Sequence, residues 1–492
     1  MSRFPIKLQA LLAGVALLAV SLQMAEAQSK AEKIDALVKQ YYDYGQFNGS
    51  VLVAQQGKVI FKKGFGMADF EWNIPNTPDT KFRLGSITKQ FTSMLILQLV
   101  QEGKVKLEGK ITDYLPDYPK KTGEKITIHQ LLTHTSGIPG YTEFPGFFRN
   151  MSRDPYTPTE FVKQFADSAL LFEPGARWSY SNSGYFLLGV IIEKITGKTY
   201  EQVLQERIFG PLGMKGSGYD HHETILAKRA TGYVKEPSGY ENAAYLDMSI
   251  PFSAGSLYST VEDLYTWDQA LYTNRLLSDE VKTLLFKSYA SAFGTMSYGY
   301  GWMMGYLPVG RSSDSLSVIQ HGGGINGFNT LLCRVPDDKS LIVLLNNTGG
   351  SRLGEITRAI TGILYDKPYD PAKKSLAEAL VAAIAKNGAA SAPETFRNLK
   401  EKQSDVYAVR EEEMNIAGYQ FLRAGKIKEA IEVFKLNVEE FPKSSNVYDS
   451  LGEAYAADGN TELAVKNYEK SVDLDPTNAN GVEILKQLRS KK

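Results

Sequence analysis

The sequence has 492 residues, of which 43% are hydrophobic and 22% charged, and its 55 basic and 55 acidic side chains give a net charge of +0. This length predicts two or three domains, and the balanced charge disfavours a nucleic-acid partner. The single cysteine, Cys333, excludes an intrachain disulfide and a metal site built from thiolates. None of the five histidines lies in an H-E-x-x-H pattern, so we expect neither a metal nor another cofactor.

The N-terminus has the pattern of a secretory signal. Arg3 and Lys7 precede an apolar run, Leu8–Val20, and Ala25–Ala27 supplies small residues at the spacing that a signal peptidase accepts. We therefore expect a signal peptide over residues 1–27 and an exported protein, periplasmic or secreted, with no membrane span after cleavage. The alternative is an uncleaved anchor, although the run is short for a bilayer span of about 20 residues.

The segment over residues 28–366 mixes predicted strands with predicted helices. Two hairpins are predicted: Gly49–Ala54 with Lys58–Lys62, and Phe328–Val335 with Ser340–Asn346. Three helices are predicted: Ser86–Gln101, Ser183–Ile195, and one that opens on a capping box at Ser259–Glu262. Strands at both ends with helices between them predict an α+β domain whose sheet pairs the two ends of the segment.

Ser86 and Lys89 form a pattern that suits an activated serine. They stand three residues apart at the start of a predicted helix, so they share one face and the amine comes within reach of the hydroxyl. The positive helix end favours a developing oxyanion and disfavours a protonated amine, and burial lowers the lysine pKa further. Ser86 is therefore a candidate nucleophile and Lys89 its base. Ser-x-x-Lys is a weak signal by itself, but no other serine in this chain stands three residues before a lysine.

The second candidate element is Tyr180-Ser181-Asn182, just before the predicted helix from Ser183. A tyrosine in a loop relays protons where nearby cations lower its pKa. Asn182 is able to accept a hydrogen bond from Lys89 and to donate one to a substrate carbonyl. The alternative is structural, a Ser or Asn helix cap beside a core tyrosine.

The third candidate element is His321–Gly324, expected at the end of a strand over Ser317–Gln320. Glycines at this place let a substrate backbone approach the strand edge and pair with it. The backbone N–H of Gly324 would join that of Ser86 as an oxyanion hole. Gly322–Gly327 also matches G-x-G-x-x-G, but a hairpin follows it rather than a βαβ unit, so we reject a nucleotide site.

Taken in this order, the three elements resemble the serine β-lactamase and penicillin-binding protein superfamily, in the branch of class C β-lactamases, D-specific peptidases and related esterases. Leu131–Gly137 and Ala254–Ser256 also look like this branch. The resemblance implies a β-lactamase/transpeptidase-like α+β fold, in which helices and a helical subdomain flank an antiparallel sheet.

The resemblance also implies a role for each matching position. Ser86 would be acylated, Lys89 would accept its proton, and Tyr180 would share the acid–base work. The substrate would be bound by four residues: Asn182, His321, Gly323 and Gly324. His321 would take the place of the lysine in the family's third motif, and water would hydrolyse the acyl-enzyme.

The third motif here is H-G-G instead of K-T-G. A lysine supplies a fixed positive charge for a substrate carboxylate, whereas histidine is mostly neutral near pH 7 because its unperturbed pKa is about 6.5. We therefore expect an exported serine hydrolase of small peptides, amides or esters, of the D-amino-acid peptidase or esterase type. Two alternatives stay open, a β-lactamase that hydrolyses antibiotics and a catalytically silent binding or scaffold protein.

The C-terminal part contains an internal repeat. A linker with one helix is expected over residues 367–404, and the repeat over residues 405–490. The matching positions all lie 34 residues apart: Gly418 and Gly452, Phe421 and Tyr455, Gly425 and Gly459, Ala430 and Ala464, Phe434 and Tyr468, Pro442 and Pro476. This period resembles the tetratricopeptide repeat, and a last helix over Ala479–Leu488 would cap it. The resemblance implies a small all-α module that binds a protein partner; the alternative is a tail that only packs on the main domain.

Overall fold

The computed structural model describes residues 29–236, 239–476 and 478–490. They form two compact units, one ending at Pro371 and the other beginning at Ala372. The signal peptide predicted over residues 1–27 lies outside the described residues. Within the described ranges, no helix is both long and apolar enough to cross a membrane.

The first unit is built on an eight-stranded antiparallel sheet. Its strands are β1 (Gly49–Gln55), β2 (Lys58–Phe65), β3 (Ala290–Ser291), β4 (Ser297–Tyr298), β5 (Met303–Pro308), β6 (Ser315–Ile325), β7 (Phe328–Val335) and β8 (Ser340–Asn346). The spatial order is β3-β4-β5-β6-β7-β8-β1-β2. Gly49 of β1 lies opposite both Phe65 of β2 and Asn346 of β8. Both predicted hairpins, and the pairing of the two ends of the domain, are therefore confirmed.

Helices surround this sheet. The longer ones and those next to the site are α1 (Thr88–Gln101), α2 (Ile128–Leu132), α3 (Asn182–Thr196), α4 (Phe252–Gly255), α5 (Val261–Leu271) and α6 (Leu353–Leu364). Helix α5 packs against β1 and β8, and α6 packs against β7. Residues 29–43 form a further helix. The α+β class with an antiparallel sheet flanked by helices is thus confirmed.

Short elements complete the first unit. The short strands are Met67–Asp69 with Ile74–Pro75, Phe82–Arg83 with Leu257–Ser259 and Gly218–Tyr219, and Tyr233–Glu236 with Gly239–Asn242. The short helical segments are Gly85–Ile87, Ile111–Tyr114, Lys120–Gly123, Tyr141–Glu143, Phe147–Met151, Pro158–Lys163, Tyr200–Leu204, Gln205–Phe209, Gly210–Leu212, Asp279–Leu285 and Pro336–Asp338.

Helix α1 lies deep in the core of the first unit. Twelve of its fourteen residues are buried, so it is enclosed on nearly all sides and differs from a surface helix with one apolar stripe. The ring of Phe91 stacks on Trp267 of α5 with centroids 4.4 Å apart. This packing fixes the first turn of the helix, and with it Lys89, in a rigid interior.

One predicted helix start is wrong by a residue. The helix after Ser259 is capped by Thr260, whose hydroxyl accepts from the backbone N–H of Asp263 at 3.1 Å. Ser259 still belongs to a strand that pairs with Phe82, and its hydroxyl lies 2.7 Å from that of Ser217. The strand pairing therefore delays the start of the helix beyond the expected capping box.

The second unit is mostly helical. Its helices are α7 (Leu376–Asn387), α8 (Ala392–Lys402), α9 (Glu411–Arg423), α10 (Ile427–Glu440), α11 (Ser445–Ala457), α12 (Thr461–Leu474) and α13 (Ala479–Ser490), with a short helical turn at Ala389–Ser391 and paired strands Lys374–Ser375 and Tyr407–Ala408. Helix α9 packs on α10 and α11 packs on α12. The first helix of each pair carries a glycine where a side chain would collide with an aromatic ring: a Cβ at Gly418 would lie 2.4 Å from Phe434, and one at Gly452 3.0 Å from Tyr468.

The segment over residues 367–404, expected to be a linker with one helix, contains two helices, α7 and α8. Leu380 of α7 and Phe396 of α8 are buried in the same core as Phe421 of α9 and Phe434 of α10. The Gly- and Ala-rich stretch over residues 387–393 only breaks one helix from the next. Its small residues favoured a linker because composition does not reveal which flanking side chains are buried.

Candidate active site

Ser86 lies where the chain passes from a strand into α1. The strand Phe82–Arg83 leads into a short helical turn, Gly85–Ile87, and α1 follows at once. Gly85 has a positive φ of +55°, and a Cβ on it would lie 3.0 Å from the backbone nitrogen of Gly324. Only glycine combines this conformation with this close approach. The turn therefore brings Ser86 next to β6, as the predicted oxyanion hole requires.

Lys89 is fully buried, and its amine has three partners. Nζ lies 3.0 Å from Ser86 Oγ, 2.8 Å from Asn182 Oδ1 and 2.8 Å from the carbonyl oxygen of Ala254. Burial lowers the lysine pKa well below its ordinary value of 10.5. An uncharged amine has two N–H groups and one lone pair. Because the oxygens of Asn182 and Ala254 only accept, they take the two N–H groups, and the lone pair is left for the Ser86 hydroxyl.

Tyr180 is half-buried beside the serine. The Ser86 hydroxyl is close enough to the phenol to act on its pKa, and the Lys89 amine lies 4.9 Å from the ring centre of Tyr180. Burial raises the pKa of Tyr180 above its ordinary value of 10.0, so the condition of a pKa lowered by nearby cations is not met. The phenol is therefore protonated near neutral pH and is able to donate its proton.

Asn182 begins α3, but it does not cap the helix. The cap is Ser181, whose hydroxyl accepts from the backbone N–H of Gly184 at 3.3 Å. The amide of Asn182 is thus free to reach Lys89 through Oδ1, as predicted, while its Nδ2 donates to Thr142 Oγ1 at 3.3 Å. This second contact orients the amide at the edge of the cavity beside Ser86.

Strand β6 runs through the third motif, so the prediction that the strand ends at Gln320 is wrong. His321 is buried within it, with Nδ1 2.6 Å from the carbonyl of Gly322 and Nε2 3.0 Å from the hydroxyl of Tyr298. Burial, with a smaller contribution from Lys89, lowers the His321 pKa to about 4. His321 is therefore uncharged at neutral pH, and both of its ring nitrogens already have partners.

Gly323 and Gly324 of this motif have different surroundings. A Cβ at Gly323 would lie 1.9 Å from the carbonyl oxygen of Leu84, so this glycine lets β6 pack against the segment that carries Ser86. A Cβ at Gly324 would meet no atom within 4 Å, because Gly324 borders an open cavity. Gly323 is thus a contact between strand and turn, and Gly324 faces the space beside the serine.

The cavity beside Ser86 has a volume of about 110 Å³. It is lined by Gly85, Ser86, Tyr141, Thr142, Phe147, Phe148, Asn182, Leu246, Ile250, Pro251, Ala254, Gly255, Gly324, Ile325 and Asn326. None of these side chains is cationic, and most are apolar. Sequence patterns indicated Ser86, Asn182 and Gly324 here, but not the apolar wall, which comes from three loops far apart in the chain.

Metal chemistry was not expected, and the described part of the chain contains no group of three or more His, Cys, Asp or Glu residues placed to hold a metal ion. Cys333 is buried in β7, and burial raises the pKa of its thiol to about 12.

The fold and this serine–lysine pair define a serine hydrolase. The family model described as Beta-lactamase matches residues 34–363, and the chain belongs to this family. Penicillin-binding protein 4* of Bacillus subtilis (strain 168) is 31% identical over 363 residues, which cover 70% of this chain and 78% of the relative. Teichoic acid D-alanine hydrolase of Staphylococcus aureus is 28% identical over 69% of this chain and 80% of its own length.

A solved structure gives the same class of protein. The D-amino acid amidase from Ochrobactrum anthropi SV3, complexed with L-phenylalanine, superposes with a TM-score of 0.60 at 28% identity. The match covers 69% of this chain and 99% of the amidase. The family resemblance expected from the three motifs is thus confirmed for the first unit.

Proposed function

We propose that this protein is an exported serine hydrolase that cleaves small, uncharged amides or esters, of the D-amino-acid peptidase or esterase type, through an acyl-enzyme on Ser86. The observation that carries the proposal is the fully buried Lys89 amine, 3.0 Å from the Ser86 hydroxyl and oriented by Asn182 and Ala254. Export rests on the sequence of residues 1–27.

In the proposed reaction, Ser86 Oγ attacks the substrate carbonyl while Lys89 Nζ takes the hydroxyl proton. The backbone N–H groups of Ser86 and Gly324 stabilise the oxyanion. Tyr180, protonated because burial raises its pKa, delivers a proton to the leaving group. Water then attacks the ester on Ser86, and the same groups return the protons to their original positions.

The electrostatics of the cavity support an uncharged substrate. Its wall contains no cationic side chain, and the pKa of His321 is about 4, so neither supplies a positive charge for a carboxylate at neutral pH. Penicillins and peptides ending in D-alanine carry a carboxylate near the reacting carbonyl. This disfavours antibiotic hydrolysis as the main role. The S. aureus relative and the O. anthropi amidase have names that point to D-amino-acid acyl groups.

For the second unit we propose a tetratricopeptide-type module that binds a peptide segment of a protein partner. The two helix pairs α9–α10 and α11–α12 repeat every 34 residues, with Gly418 against Phe434 and Gly452 against Tyr468. Ile416 of α9 is 50% exposed, which offers an apolar contact to a partner. If instead the module only supports the fold, a protein ending at Pro371 would fail to fold.

Hydrolysis of p-nitrophenyl acetate by the mature protein tests the enzymatic proposal. We expect a burst of p-nitrophenol followed by steady turnover, and neither in Ser86→Ala. Ser93→Ala is the matched control, because it removes another hydroxyl from the α1 region, that of a buried serine, and leaves the proposed machinery intact. Equal turnover by Ser86→Ala and wild type would refute the assignment, and no release by any variant would favour the silent binding protein.

A second assay tests the substrate class. We expect the N-acetylated p-nitroanilide of D-alanine, which is uncharged, to be cleaved faster than its L-isomer, and a penicillin to be hydrolysed much more slowly than either an uncharged amide or an ester. Efficient penicillin hydrolysis with slow amide turnover would favour the β-lactamase alternative.

A further inference from the structure

His134 adopts an uncommon backbone conformation next to the proposed site. It follows α2 and has a φ of +59°, in the left-handed region that few residues other than glycine adopt. It is 1% exposed. An outlier of this kind in a rigid interior indicates that the surrounding contacts require it.

Those contacts hold the chain on both sides of Tyr180. The carbonyl oxygen of His134 accepts from the backbone N–H of Ser179 at 2.9 Å, and its ring Nδ1 accepts from the backbone N–H of Ser181 at 3.1 Å. The ring also packs on the ring of Tyr180, with centroids 4.3 Å apart and planes inclined by 36°. One residue thus contacts the backbone before Tyr180, the backbone after it, and the aromatic ring itself.

The contact to Ser181 determines which ring nitrogen of His134 carries the proton. Because Nδ1 accepts a hydrogen bond, it holds a lone pair, and the proton of the neutral ring lies on Nε2. If Nδ1 were protonated, its N–H would face the backbone N–H of Ser181, and neither could accept a hydrogen bond. Burial, with smaller effects of Lys89 and His321, lowers the His134 pKa well below its ordinary value of 6.5, so the ring keeps the accepting form.

The other neighbours of His134 belong to the same aromatic cluster. Its ring lies 5.0 Å from that of Tyr185 and 4.7 Å from that of Tyr298, whose hydroxyl contacts His321 Nε2. These bulky rings leave the imidazole little freedom to rotate, because interiors are packed as densely as crystals. The His134 ring is therefore held in one orientation against Tyr180.

We propose that His134 is a positioning residue for Tyr180: by holding the peptide groups on both sides and the ring face, it keeps the phenol beside Ser86. This inference rests on the proposed function, in which Tyr180 delivers the leaving-group proton. His134 itself touches neither substrate nor reacting atom in this arrangement. Its loss should therefore lower kcat through misplacement of Tyr180 and leave KM nearly unchanged.

Two substitutions separate the contacts. His134→Phe keeps an aromatic face but has no acceptor for Ser181, whereas His134→Asn keeps an acceptor and tolerates the left-handed conformation. We expect His134→Phe to lower kcat by about 100-fold, the order that a displacement of about 1 Å causes, with KM within about twofold. His134→Asn should have a kcat between those of His134→Phe and wild type. It also replaces His134→Phe as the test variant if the Phe variant does not fold.

A double-mutant cycle tests the link to Tyr180. In a Tyr180→Phe background, His134→Phe should cost little more, because the group that it positions is already gone. His129→Phe is the matched control, since it removes a half-buried histidine of α2 whose Nδ1 contacts Tyr300, 2.8 Å away, rather than the Tyr180 loop. Equal losses from His134→Phe in both backgrounds would overturn the proposal.

A crystal structure of His134→Phe provides a readout that does not depend on turnover. We expect the Tyr180 hydroxyl to have moved off Ser86, and an unmoved hydroxyl would overturn the proposal. The proposed function is tested separately, by comparing the turnover of wild type and Ser86→Ala. If the proposed function is wrong, these two proteins will have equal turnover. If the inference on His134 is wrong, this will show only in the double-mutant cycle and in the position of Tyr180.

Discussion

Gly323 provides a test of how the sheet positions the nucleophile. A Cβ at this position would lie 1.9 Å from the carbonyl oxygen of Leu84 and 2.5 Å from Thr330 Oγ1. Thr330 Oγ1 in turn donates to that same carbonyl at 2.7 Å. Leu84 stands two residues before Ser86, so any movement that makes room for a methyl group at residue 323 is passed to the serine.

The size of that movement follows from the contact. Ordinary carbon–oxygen contacts begin near 3.4 Å, so Leu84 or β6 would have to shift by about 1.5 Å in Gly323→Ala. Inserting a methyl group into a packed interior typically costs about 1–3 kcal/mol, and misplacing a reacting group by about 1 Å costs about 100-fold in rate. We therefore expect Gly323→Ala to lose about 100-fold in kcat and to unfold at a lower temperature.

Ester hydrolysis and thermal unfolding are the assays, with two neighbouring glycines as controls. A Cβ at Gly322 meets its nearest atom at 3.5 Å, so Gly322→Ala should keep kcat and Tm close to wild type. A Cβ at Gly324 meets nothing within 4 Å, so Gly324→Ala should keep Tm. If Gly323→Ala matched Gly322→Ala in both kcat and Tm, the reasoning would be refuted.

Three other features of the structure lead to further predictions. Turnover should rise with pH and reach its plateau well below pH 10.5, because only the uncharged Lys89 amine accepts a proton and burial lowers its pKa; a kcat/KM profile with a rising limb centred near pH 10.5 would contradict this. Arg334→Met should lower the free energy of unfolding by about 3–5 kcal/mol, since it leaves the buried Asp268 carboxylate, 2.5 Å from Arg334 Nε, without its partner; urea unfolding measures this, and a loss below about 1 kcal/mol would argue against it. Gly418→Ala should loosen α9 and α10, because its methyl group would lie 2.4 Å from the Phe434 ring; amide hydrogen exchange over residues 411–440 should quicken, and unchanged protection would count against it.

Local geometry explains what could be predicted from sequence. Ser86 and Lys89 are three residues apart, and helical geometry alone brings their side chains to 3.0 Å. The hairpins β1–β2 and β7–β8 are likewise local, and their alternating or continuous apolar runs are read directly from the chain. The contact from Asn182 to Lys89 joins residues 93 apart, and it was supported by the amide's ability to accept a hydrogen bond and by the family resemblance rather than by spacing.

Other features of the site depend on packing between distant segments. The carbonyl of Ala254, 165 residues from Lys89, carries no side-chain signal at all. The role of His134 depends on backbone contacts with Ser179 and Ser181, which neither composition nor spacing reveals. The motif Leu131–Gly137 attracted notice only as a family likeness. The left-handed conformation of its histidine, His134, is visible only in the structure.

The raised pKa of Tyr180 is another property that the sequence alone does not reveal. Nearby cations would lower this pKa, but burial acts in the opposite direction and is the larger effect. Burial is a property of the assembled fold, because the rings of His134 and His321 that lie near Tyr180 come from distant segments. The chemical types at the site were therefore readable, whereas their protonation states required the structure.

Trapping the covalent intermediate is the most direct measurement to make. The mature protein would be mixed with p-nitrophenyl acetate, quenched in acid within the burst phase, and digested for mass spectrometry. We predict an added acetyl group on the peptide that contains Ser86, lost again as turnover proceeds and never formed in Ser86→Ala. Hydrolysis without an adduct on Ser86, or with an adduct on another residue, would contradict the proposed acyl-enzyme mechanism.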